Sequence, residues 1–211
     1  MHEISKIDQD FIQELYYVFN GVSLENEPTL LEEDFADTSY LRRYPHQHPY
    51  DFNSKEYFSK NNVIEEIKSN YLSIEQKDDL ILSIEKGERV LNRYSTWQEI
   101  PFDYLNNCAF GFYFISPAAY LFYTPALILN LLLNEEYFKG DAFDKWLSTL
   151  VMEDSNSKLL IKFNLSQLKL LKRFLDYVLV DEYALKLVEL EYVQKAINIF
   201  QEKIDSYAYR I

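Results

Sequence analysis

Only four glycines and six prolines occur among 211 residues. Such a chain lacks the turn residues of a β-sandwich or small barrel, so long regular elements are expected. The glycines, at positions 21, 87, 111 and 140, are too scattered to build a phosphate-cradling loop. A single cysteine, Cys108, excludes an intramolecular disulfide. Its apolar neighbours point to a buried thiol acting as a small hydrophobe. No serine stands in a G-x-S-x-G context, and all three histidines lie far from Cys108 along the chain. The usual signs of nucleophilic catalysis are therefore missing. Met1-His2-Glu3 offers no basic n-region, so no signal peptide is read and a cytoplasmic location is expected.

Basic residues are missing where acids are dense. Between Lys6 and Arg42 lie nine acids and no Lys or Arg. Residues 1–103 carry 10 Lys/Arg against 21 Asp/Glu, whereas residues 104–211 carry 11 against 13, within a formal net charge of -13. Such a field disfavours nucleic acid and anionic membrane surfaces and attracts basic proteins. A merely solubilising surface is the plainer reading of the same charge.

Charge of either sign is absent from Tyr104 to Asn134, bounded by Asp103 and Glu135. A membrane span is disfavoured there. Pro117 and Pro125 interrupt any single helix, Asn106, Asn107 and Asn130 are polar, and both flanks are acidic. With 18 Tyr and 15 Phe in the chain, this stretch reads instead as the heart of a large aromatic core. Phe110–Ile115 fits a short strand, residues 116–119 a turn, and Tyr120–Tyr123 a second strand. Pro125 then suits the first turn of a helix over Ala126–Asn134.

Elsewhere the apolar period is helical. Asp8–Asn20, a short acidic helix begun by Pro28, Ser54–Tyr71 and a helix opened by a Ser73–Gln76 capping box precede the uncharged stretch. Helices from Asp141, from an Asn164–Gln167 capping box, and from Asp181 to about Tyr207 follow it. Residues 40–53 and 153–158 read as loops, and residues 88–103 as irregular or briefly helical. The expected fold is mainly α (α+β): one domain over 1–211, with a small β-hairpin at 110–123 and an acidic third, 1–53, packed on a helical core.

Two constellations carry candidate chemistry. Glu25, Glu27, Glu32, Glu33, Asp34 and Asp37 form an acidic run that would dock on a basic protein; solvated helix N-terminal acids are the plainer account. His46 and His48, with Asp51 nearby, could place two imidazoles on one side of an extended segment toward a metal. No third or fourth ligand is identifiable, so neither a metal nor a cofactor is assigned. Paired acids such as Asp78/Asp79 and Glu135/Glu136 suit exposed helix surface.

Trp97-Gln98, the aromatic run Phe110–Ile115, Ser116-Pro117 and Tyr123-Thr124-Pro125-Ala126 together resemble a family of small bacterial proteins of unknown function. Phe163, Gln167 and Phe174-Leu175-Asp176-Tyr177 extend that resemblance over about the second half of the chain. The sequence departs at Leu121, where the family tends to a basic residue, and at Thr124, where it tends to Leu. The resemblance implies no activity and no functional residues. The expected function is that of a non-enzymatic protein-binding protein, an immunity or antitoxin-like inhibitor of a basic bacterial toxin. The alternative is an enzyme of unrecognised class, metal-dependent through the His46/His48 loop.

Overall fold

A computed structural model describes residues 6–35, 60–69, 72–86, 92–152 and 156–208. Its central element is a 17-residue helix, Pro117–Leu133. Numbered in chain order, the helices are α1 (Lys6–Val18), α2 (Leu30–Phe35), α3 (Lys60–Ser69), α4 (Ile74–Lys86), α5 (Phe102–Asn107), α6 (Pro117–Leu133), α7 (Asp141–Val151), α8 (Asn156–Leu159), α9 (Leu165–Val178) and α10 (Leu190–Ala208). Short 3-10 turns lie at Trp97–Glu99, Ala109–Tyr113, Glu135–Lys139, Leu160–Lys162 and Ala184–Lys186. The mainly α expectation holds.

The β-hairpin expected at 110–123 does not exist; no strand occurs among the described residues. Residues Ala109–Tyr113 form a 3-10 turn, and Tyr120–Tyr123 lie inside α6. Ser116 starts that helix, its Oγ accepting the Ala119 N–H at 3.2 Å, with Pro117 at the first helical position. Pro125 sits in the helix interior rather than its first turn. It has no N–H, so the Leu121 carbonyl loses its helical donor. One turn earlier the Thr124 hydroxyl donates to the Tyr120 carbonyl at 2.6 Å. Nearly every residue from Ala119 to Leu131 is buried, so no polar face exists to reveal a helical period. In that setting the strand preference of Tyr and Phe carries no weight.

Trp146 of α7 locks this helix. Its Nε1–H donates to Thr124 Oγ1 at 2.9 Å, while the Tyr120 hydroxyl donates to the Trp146 carbonyl at 3.0 Å. The two rings stack with centroids 6.0 Å apart. Phe112, Phe122, Phe143, Phe163 and Phe174 fill the surroundings and are fully buried. A single cluster of buried apolar side chains runs from Leu15 of α1 to Phe200 of α10.

Both expected capping boxes form. Ser73 N–H meets Gln76 Oε1 at 2.9 Å, and Asn164 N–H meets Gln167 Oε1 at 2.9 Å, each with its reciprocal bond. Pro28, by contrast, does not begin α2. Thr29 and Glu32 exchange the capping bonds, and the helix starts at Leu30. The last helix starts at Leu190; upstream, Asp181 Oδ1 instead accepts the Tyr183 and Ala184 N–H groups and caps a short turn. The helix α5 was not evident from apolar spacing, because six residues are too few to show a period.

Candidate functional site

The described N-terminal segment, residues 6–35, is fastened to the rest by side chains that satisfy helix ends. The first N–H groups of α2 have no partner within their own helix. Leu30 N–H donates to the Tyr123 hydroxyl at 3.1 Å, and Leu31 N–H to the Tyr104 hydroxyl at 3.2 Å. The rings of Tyr104 and Tyr123 pack against each other with centroids 6.3 Å apart. At the C-terminal end of α1, the Phe19 carbonyl accepts from Trp97 Nε1 at 3.1 Å and the Val18 carbonyl from Gln167 Nε2 at 3.3 Å. Gly111 lies so close to α2 that a Cβ there would stand 2.5 Å from the Leu30 carbonyl oxygen.

This docking redistributes the acidic run. Glu32 and Asp34 are buried, at 1% exposure each, and Glu32 is committed to capping Thr29. Glu25 is exposed, in a turn where its φ is 55°, while Glu27 and Glu33 are half-buried. The five described acids thus do not form one continuous outward patch. Asp37, His46 and His48 lie outside those residues, as does Asp51. Among the described residues, no group of three His, Cys, Asp or Glu is arranged to hold a metal ion.

A polar layer lies beneath α2. Gln76 Nε2 donates to Cys108 Sγ at 3.3 Å, and Cys108 is fully buried. Burial, and secondarily the nearby Asp34 carboxylate, push the thiol well above its ordinary value. Burial does the same to the phenols of Tyr104, Tyr120 and Tyr123. At neutral pH these groups are protonated and supply neither a thiolate nor a phenolate nucleophile.

In front of Gln76 opens a cleft of about 410 Å³ between α4, residues 93–94 and α5. Glu75, Asp79, Arg93, Tyr94, Asp103 and Tyr104 are among its lining residues. Arg93 grips Asp79 through Nε at 3.0 Å and Nη2 at 2.9 Å, and Nη2 also reaches the Glu75 carbonyl at 3.2 Å. That hydrogen bond to Asp79 raises the guanidinium pKa further. Bonds from its own backbone and from Ser73 hold Glu75 below the ordinary carboxylate range. The cleft offers fixed charges and aromatic walls, which suit recognition of a cation. Apolar periodicity singled out α4 but not this cleft; its signal is Glu75 and Asp79 at i, i+4 after the Ser73 cap. A second depression of about 400 Å³ lies between residues 138–147 and 187–189.

The sequence profile of a family of unknown function, DUF6714, matches residues 73–195, more than half the chain, and the chain belongs to that family. α1 and α2 lie outside the matched segment, whereas the four side chains that fasten them, Trp97, Tyr104, Tyr123 and Gln167, lie inside it. No curated protein and no solved structure matches the chain. No described helix is long and apolar enough to cross a membrane.

Proposed function

We propose that this chain is a non-enzymatic binding protein that docks on a basic protein, as an immunity or antitoxin-like inhibitor does. The observation that carries the reading is the charge asymmetry: 21 Asp/Glu against 10 Lys/Arg before residue 104, and near balance after it. Glu25 is the exposed member of the described acidic run, with Glu27 and Glu33 half-buried. The protonated state of Cys108 and the buried tyrosines supports binding over nucleophilic chemistry. A cytoplasmic setting fits a protein whose only cysteine is a buried, unpaired thiol.

Capture with the tagged full chain from its native host tests the reading. A basic protein should be retained at low salt, released at about 0.5 M salt where exposed charges are screened, and lost by E25K/E27K. It should persist in E191K/E202K, which reverses two exposed acids on α10. Retention unaffected by salt, or equal in both variants, overturns it.

A further inference from the structure

The amphipathic helix α4 buries Gln76, Leu80, Ser83 and Ile84 on one side. The opposite side is not simply polar. Ile74 is 75% exposed and Leu82 49%, two turns apart on one stripe, with Asp78 exposed between them. The same face continues through Glu75 and Asp79 into the cleft of about 410 Å³, where Tyr94 and Tyr104 supply rings and Asp103 a further carboxylate. Among the described residues, Arg93 in the cleft is paired with Asp79, Lys77 Nζ meets the Lys68 carbonyl at 3.0 Å, and Lys86 is exposed a turn beyond Leu82.

We infer that this face of α4 and its cleft form a docking site for a lysine- or arginine-rich amphipathic helix of a partner protein. The inference rests on the binding role proposed above and places the contact inside the family-matched segment, away from Glu25 and Glu27. Ile74 and Leu82 meet the apolar seam of such a helix, spaced as helix-in-groove anchors are. One ammonium or guanidinium enters the cleft, between the Glu75 and Asp103 carboxylates and the tyrosine rings. The surrounding negative charge selects a basic helix and rejects an acidic one.

The probe is a fluorescein-labelled lysine–leucine amphipathic peptide of about 14 residues, roughly four helical turns, titrated into the full chain. An I74S/L82S variant and an E75Q/D103N variant should each weaken binding about tenfold or more, a change readily resolved in Kd. All four side chains are exposed, and far-UV circular dichroism confirms that the variants fold. E191Q/E202Q, on α10, should stay within about twofold of wild type. Unchanged affinity in either α4 variant, or equal weakening by the α10 control, overturns the site. If E25K/E27K abolishes capture of the host partner while E75Q/D103N leaves it intact, the binding role stands and the α4 site falls.

Discussion

The hydroxyl of Tyr123, in the middle of the central helix, accepts the N–H of Leu30 at 3.1 Å across 93 residues of sequence. Tyr104 does the same for Leu31. Trp97 and Gln167 satisfy the carbonyls at the other end of this segment, on Phe19 and Val18. The acidic segment is therefore bolted to the family-matched part through the polar ends of its helices. That bolting turns Glu32 and Asp34 inward and leaves Glu25 outward.

Replacing Tyr123 with Phe removes the acceptor and leaves a buried N–H unsatisfied, which costs about 1–3 kcal/mol. Urea titration should show that loss for Y123F and for Y104F. Because the two rings are in contact and serve adjacent N–H groups of one turn, the double variant should lose less than the sum. Amide exchange at Leu30 and Leu31 should accelerate in each.

Gly111→Ala drives a Cβ to 2.5 Å from the Leu30 carbonyl oxygen and 3.0 Å from the Asp34 nitrogen, both backbone atoms. α2 must then shift away, and a loss of about 1–3 kcal/mol is expected. Gly21→Ala is the comparison. It has nothing within 4 Å but a φ of +75°, so only backbone strain of about 1 kcal/mol applies. Amide exchange in α2 should speed up in the first variant and not in the second.

Thr124 is a buried polar link between the central helix and α7. Its hydroxyl joins the Trp146 indole to the Tyr120 carbonyl, 2.9 and 2.6 Å away. T124V keeps the shape but strands the indole N–H, and should lose about 1–3 kcal/mol. T124S, which restores the hydroxyl, should recover most of that loss and with it the near-ultraviolet signal of Trp146.

Alkaline pH should unfold the protein through its buried acids. Cys108 and Tyr104, Tyr120 and Tyr123 have folded pKa values above their ordinary values of 9.0 and 10.0. The unfolded chain releases these protons first, so the stability they lend is complete below pH 9 and is lost as pH rises beyond it. Urea midpoints should be level from about pH 7 to 8.5 and fall from about pH 9 upward. C108A should flatten the first part of that fall. On the acid side, Glu99 is held low by bonds from Thr96 and Ser95. Its contribution is lost as pH drops below the ordinary carboxylate range, and E99Q should remove that dependence.

Much of the helical framework was legible where a cap and an apolar period coincide, as at Ser73–Gln76 and Asn164–Gln167. The error fell on residues 110–123, where aromatic density imitates strands. α6 is apolar on all sides, so the 3.6-residue period that separates helix from strand is erased there. Ser116-Pro117, read as a turn, is equally a helix start, and only tertiary burial decides between them. The acidic run was visible as a run, yet burial of Glu32 and Asp34 depends on Tyr104 and Tyr123, which bond Leu31 and Leu30 across 73 and 93 residues. The α4 cleft joins residues 73–79 with 93–107, a juxtaposition no local pattern contains.

The most direct test of a charge-driven binding role is the association rate of the purified chain with its captured basic partner at low and high salt. Attraction between opposite fields predicts a rate constant that falls about tenfold or more between roughly 0.05 and 0.5 M salt, and a shallower fall for E25K/E27K. A rate independent of salt, or unchanged by that charge reversal, would contradict the account.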